Sequence, residues 1–334
     1  MNAPATALAG ARPEQPGPAS AQPDASDAQA GARHGLWLGL LAIVIFALTL
    51  PMTRLAVGST QDPQLTGLFV ASGRAVLAAV LSLGFLLATR APLPRRADWP
   101  ALAIVAGGVV FGFPMLTSIA MRYVEAVHAS VIVGVLPLAT AAVGAWLHRQ
   151  RPSNGFWLCA AGGTALVVLF ALLRSGLKGL ALHPADALLL GAMACAAAGY
   201  GWGARLAQRM GPEHVICWAL LAALPVNLPL AWTQWPQAPI TAQSWWAFGY
   251  VGLFSMWLGF FAWYRALGLG GTVRVSQLQL FQPFLSMLLA LPLLGERLDA
   301  VTLGFGLAVM AVVFIGRKMP VRPSAGTTRK EGGT

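Results

Sequence analysis

Arg74 carries the clearest chemical consequence in this chain, because it lies inside the apolar run VASGRAVLAAVL, beside Ser72 and Gly73. A guanidinium at the centre of a bilayer costs about 2.5 to 3.5 kcal/mol on insertion scales, so it must face protein or water. There it can attract the carboxylate of a solute. Alternatively, it snorkels or binds a carbonyl and ties helices together. A second polar group is Ser276, Gln277, Gln279, Gln282 and Ser286, in a run that is otherwise apolar. Gln279, Gln282 and Ser286 recur at i, i+3 and i+7, one face of a helix. Their amides both donate and accept, which suits recognition of an uncharged polar group; hydrogen bonding between helices is the alternative. Tyr200, Trp202, Trp257, Trp263 and Tyr264 offer aromatic walls, or simply packing and lipid contact. His128, at the start of an apolar run, titrates near neutral pH or else rests at the interface, bonded to water or to Glu125.

The elements that must position these residues are membrane-spanning helices. Of 334 residues, 57% are hydrophobic and only 10% charged, too little polar surface to solvate a globule of this size. The apolar residues fall in runs of roughly 20, the length that crosses about 30 Å of hydrocarbon. These runs predict ten helices: 36–57, 64–88, 98–121, 125–147, 154–173, 184–208, 213–233, 244–267, 273–294 and 299–316. Residues 1–32, rich in Ala, Pro, Gly, Gln and Ser, read as a disordered tail, and 317–334 as a basic one. The first apolar run is too long for the short core of a cleaved leader.

The net charge of +11 has a topological cause. Arg33, Arg90, Arg95, Arg96, Arg149, Arg151, Arg205, Arg209, Arg265, Arg274, Arg317, Lys318 and Arg322 fall on one side, against Arg54, Arg122, Arg174, Lys178 and Arg297 on the other. The excess puts both termini in the cytoplasm, and the protein in a cell (inner) membrane. Lys and Arg are not gathered as a nucleic-acid footprint requires. Cys159, Cys195 and Cys217 sit inside predicted helices without metal or disulfide spacing, so neither metal nor cofactor is expected. No constellation of catalytic residues and no nucleotide-binding loop is present, which argues against an enzyme and against ATP-driven transport in one chain. Glu125, Asp186, Glu296 and Asp299 all lie near helix ends, so coupling through an acid at the bilayer centre is disfavoured.

An internal repeat is visible under a shift of 146 residues, which places Ala120 on Ala266, His128 on Arg274, Ser130 on Ser276, Pro137 on Pro283 and Arg151 on Arg297. Two five-helix copies, 36–173 and 184–316, follow, and an odd helix number per copy inverts the second. Inverted repeats can rock about a central cavity and expose it alternately. Pro137 and Pro283 each remove a mid-helix donor, predicting a kink that either borders this cavity or only shapes packing.

The segments HASVIVGVLPLATAAVGAWL, VSQLQLFQPFLSMLLALPLLGERL and FFAWYRALGLGG resemble the drug/metabolite transporter superfamily, in its ten-helix branch with two EamA-type repeats. The resemblance covers about 36–316. It implies an all-α integral membrane bundle, a cavity lined from both halves, and transport of metabolites or drugs, often as export. In the first copy Gln150 stands where Glu296 stands in the second, and HRQRP replaces the GERL turn. If Glu296 and Arg297 lock a loop to a neighbouring helix, the copies should be held differently on their two faces. The expected function is secondary transport of a small metabolite, an amino acid or related solute. Efflux of drugs or lipophilic cations, or a non-transporting sensor, are the alternatives. The expected partners are a small-molecule solute and the lipid bilayer, without nucleic acid, and with a homodimer as a possible assembly.

Overall fold

The computed structural model describes residues 25–147, 151–174, 184–270, 277–319 and 321–322. With no water in the hydrocarbon to satisfy N–H and C=O groups, apolar runs fold as helices that close their own backbone bonds. Helices α1 (Ala25–Ala47) and α2 (Thr49–Val57) form one rod interrupted at Leu48. After them come α3 (Gly67–Ala88), α4 (Trp99–Val105) and α5 (Phe113–Ala120), the last two joined by a π-helical segment, Ala106–Gly112. The first half ends with α6 (Ala126–Val133), α7 (Leu136–Leu147) and α8 (Asn154–Arg174). The second half holds α9 (Pro184–Met210), α10 (Pro212–Thr233), and α11 (Ala242–Tyr250) continued through a π segment, Val251–Leu258, into α12 (Gly259–Gly270). A 3-10 turn, Gln277–Phe281, opens α13 (Gln282–Leu294), and α14 (Ala300–Lys318) closes the bundle. Apart from helices there is a two-residue antiparallel pairing, Arg151 with Arg322 and Pro152 with Val321.

Side chains fix several of the helix starts. Thr66 accepts from the amide of Phe69, Thr241 from that of Ser244, and Asp299 from that of Thr302. Gly295, at φ 64°, ends α13 in the left-handed conformation that glycine enters without steric cost.

Among the described residues six helical rods are long and apolar enough to cross a membrane: Arg33–Val57, Gly67–Ala88, Arg96–Ala120, Pro184–Met210, Pro212–Thr233 and Ala242–Ala266. Shorter apolar helices cover Ala126–Thr140, Asn154–Phe170, Gln282–Leu294 and Ala300–Gly316. The chain is a multi-pass membrane protein. Packing across the two halves is reciprocal. α1 lies on α12 and α9 on the 96–120 rod; α9 lies on α7, and α1 and α2 lie on α13; α3 pairs with α10, α6 with α13 and α8 with α14.

Three expectations change. Helix α1 starts at Ala25, inside the segment expected to be a tail, where ASDAQAGAR supplies alanines and an early Asp27; residues 1–24 lie outside the described ones. The expected basic tail begins inside α14, which runs to Lys318, and 323–334 lie outside the described residues. Pro137 and Pro283 do not kink continuous helices. Each is the second residue of a new helix, after the Gly134–Val135 turn and after the 3-10 turn respectively, where a missing N–H leaves no bond unmade.

Candidate functional site

Several irregularities in these helices meet at one place. A buried cavity at the centre of the bundle is lined by Thr49 beside the α1/α2 break, Val109 and Ser255 in the two π segments, Val133 before the α6/α7 turn, and Gln282 at the start of α13. Phe46, Leu50, Arg74, Phe113, Tyr200 and Phe260 complete the wall, so both halves contribute. Non-α backbone at membrane depth is tolerated only where it is buried in protein or borders a cavity, and π bulges concentrate at functional sites. The space measures about 20 Å³, room for one water molecule, so the cavity is closed around its side chains.

Arg74 is 2% exposed, and among the described residues its Nε and Nη1 atoms have no hydrogen-bond partner. Among the described residues no carboxylate lines the cavity, and Arg74 is the one charged side chain on its wall. Across from α3, the hydroxyls of Thr49 and Ser255 bond at 2.8 Å, joining α2 of the first half to the second π segment. Tyr200, Gln282, Thr49 and Ser255 supply polar atoms, and Phe46, Phe113 and Phe260 supply apolar rings. Such a lining has one charged anchor, a few dipoles and an aromatic remainder. Such a composition can offer charge-assisted hydrogen bonds to an anionic group beside apolar contact.

Of the residues expected from sequence, Arg74, Tyr200 and Gln282 meet here. The others lie elsewhere. Trp202 stacks under the Arg205 guanidinium at 5.7 Å. Trp257 packs against Phe261 and Phe85, with ring centroids 4.9 and 6.5 Å away. Tyr264 is buried against Gly203, and Trp263 against Phe46. Gln279 is buried on the 3-10 turn outside the cavity wall. This turn breaks the α-helical phase that would have aligned it with Gln282. Ser286 is buried one turn beyond Gln282, also off the wall; Ser276 and the Gln277 side chain lie outside the described residues. Thr49, Ser255 and the three phenylalanines were not singled out as contacts. Ser255 stands four residues before Gly259, the spacing of small residues that pack helices together, and so carries no signal of a contact in the sequence.

His128 is not on the cavity wall, and its side-chain partner is not Glu125. Its Nε2 meets Oδ1 of Asp186 at 2.7 Å, an acid brought to it by the start of α9. Near it Glu296 caps α6, its Oε1 accepting from the amide of Ala126 and its Oε2 from that of Val127, each at 2.8 Å. Burial pushes the Glu296 carboxyl above the usual carboxylate range, opposed by these two amides and by Arg54. A polar hollow of about 420 Å³ beside it is lined by Arg54, Asp62, Gln64, Glu125 and Ser244 among others. Arg54 donates to the carbonyl of Met121, and Arg122 to those of Val57, Gln64 and Leu65, which fastens the 58–66 loop to the turn before α6. Arg297, the neighbour of Glu296, is exposed. The counterpart Gln150 lies outside the described residues.

Glu296→Ala should uncap α6, at a cost of about 1 to 3 kcal/mol for two charge-assisted bonds. Hydrogen exchange checks this: amides of 126–129 should lose protection while those of α3 and α10 keep theirs. Equal protection in both proteins would show that the cap contributes nothing.

The EamA-like transporter family model matches this chain twice, over residues 33–172 and 183–317. An uncharacterized transporter of Bacillus subtilis (strain 168), YdeK, is 41% identical over 292 residues, covering 84% of this chain and 96% of that protein. A solved crystal structure shares the fold with a TM-score of 0.58 at 19% identity, covering 84% of this chain and 97% of the other. Two family matches that together span most of the chain, with a close relative over nearly its whole length, establish that it belongs to the EamA-like transporter family.

Proposed function

We propose that this protein is a secondary carrier of a small metabolite bearing a carboxylate, an amino acid or related solute, which it moves across the inner membrane by alternating access. The observation that carries this reading is Arg74, a buried guanidinium with two nitrogens that, among the described residues, have no partner, in a cavity those residues line without an acid. A charge so placed is expensive unless a ligand completes it. In this reading the solute's carboxylate meets Arg74, its polar atoms meet Gln282, Thr49 or Ser255, and its body lies among the aromatic rings.

The ten helical rods cross the membrane, in this reading, as two inverted five-helix repeats with both termini in the cytoplasm. The reciprocal packing of the halves supports that arrangement, as do the paired π segments and the paired breaks before Pro137 and Pro283. A cavity with room for one water must open toward each side in turn to admit a solute, and the helix breaks that border it are the natural hinges.

Uptake by the purified protein in liposomes tests the reading, with a panel of labelled amino acids beside a labelled lipophilic cation. Saturable flux of at least one amino acid is expected, and Gln282→Ala should raise its KM about tenfold, the worth of roughly one hydrogen bond. Flux of the cation with no amino acid carried would replace this reading with efflux of lipophilic cations.

A further inference from the structure

The first turn of α6 is held by two carboxylates, both from the second half. Glu296 takes the amides of Ala126 and Val127, and Asp186 takes the ring of His128. The His128 and Asp186 side chains are 9% and 2% exposed, and the ring of Phe170 lies against the imidazole with centroids 5.0 Å apart. An ionised Asp186 beside a neutral imidazole leaves a net negative charge in a place shielded from water. Adding one proton turns the pair into imidazolium and carboxylate, with no net charge and a stronger bond.

From these contacts we infer that His128 and Asp186 together form a proton-binding site that joins the two halves of the molecule, and that its occupancy tightens α6 against α9. Among the described residues the following charged and titratable groups belong to the elements packed around it. On the connection from α13 to α14 are Glu296, Arg297 and Asp299, the last accepting from the amide of Thr302. From α2 comes Arg54, engaged with the carbonyl of Met121, and the turn before α6 holds Arg122, Tyr123 and Glu125. The charged groups of α14 itself, Arg317 and Lys318, lie at its far end. When α6 parts from α9, the imidazolium gives its proton to water on that side and the pair passes from zero to one negative charge. That the proton is moved and not only held rests on the carrier reading; the binding does not.

Hydrogen exchange of the full-length protein in lipid nanodiscs, from about pH 5.5 to 8.5, tests the binding without any solute. After correction for intrinsic chemistry, protection of 126–133 should rise as pH falls, by severalfold and at most about tenfold per pH unit for one proton. That dependence should vanish in His128→Gln and in Asp186→Asn but persist in Glu296→Gln. The last variant removes the second-half carboxylate that caps the same helix end. A flat profile in the unaltered protein, or a dependence lost only in Glu296→Gln, would overturn the proposal. Movement of the proton is read separately, as stimulation of labelled amino-acid counterflow by an imposed pH gradient. Stimulation should be present in the unaltered protein and absent from both pair variants. Amino-acid exchange indifferent to the gradient would confine the pair to proton binding and sink the coupling. A lack of exchange under all conditions would count against the carrier reading, while the exchange profile still judged the site.

Discussion

Arg74→Ala should lower the transport efficiency for a carboxylate solute about 100-fold while leaving the protein as stable as before or more so. Removing one partner of a buried charge pair costs about 2 to 5 kcal/mol of binding, and each 1.4 kcal/mol is a factor of ten. In the empty protein the same guanidinium, 2% exposed with two nitrogens unpartnered among the described residues, is a burden. Its loss relieves part of the roughly 2.5 to 3.5 kcal/mol that a charge at this depth costs. Flux and thermal unfolding measured side by side separate the two roles open to this residue. A structural tie between helices would show as a lower melting temperature with Ala. Arg74→Lys keeps the charge but replaces a planar fork with a point donor, so it should recover only part of the activity.

The second large effect is expected where α9 meets the 96–120 rod. A Cβ on Gly108 would stand 2.5 Å from the carbonyl oxygen of Cys195 and 2.9 Å from the amide nitrogen of Gly199, backbone atoms of α9 that cannot turn aside. The neighbouring Gly107 has nothing within 4 Å of the same position. Gly108→Ala should therefore destabilise the protein by about 2 to 3 kcal/mol, the cost of overpacking a fitted contact. Gly107→Ala should be nearly neutral. Thermal unfolding of the two variants in the same detergent checks the difference. Similar melting temperatures would mean that α9 and the 96–120 rod do not approach as described.

Much of this was legible in the chain itself, for physical reasons that differ by residue. Apolar runs of bilayer length announce their helices, because no other backbone can satisfy itself in hydrocarbon. Arg74 stood out because its cost is large wherever it sits in the membrane. The cavity hydroxyls did not stand out. Serine and threonine in apolar helices commonly bond their own preceding turn, as Ser72 does to Leu68, Thr117 to Phe113 and Ser130 to Ala126. Nothing in residue type alone separates those from Thr49 and Ser255, which bond each other across the halves. Asp186 was hidden for a related reason: an acid in the first turn of a helix reads as a complement to the helix dipole, and its histidine partner is 58 residues away in the chain. The π segments coincide with close packing, of Gly108 against α9 and of Gly252 against Leu77 of α3, and no local pattern in either run marks an extra residue per turn. The aromatic residues Trp202, Trp257 and Tyr264 were drawn toward the cavity by their chemistry, yet each fills a packing position instead.

The most direct measurement of the central claim is competition in liposomes, between a labelled amino acid that the protein carries and two unlabelled competitors, the same amino acid and its carboxamide. If the solute's carboxylate completes Arg74, the free acid should compete about 100-fold better than the amide, which has lost the charge but kept its size and shape. Equal competition by the two would contradict a carboxylate site at Arg74 and leave the guanidinium as part of the scaffold.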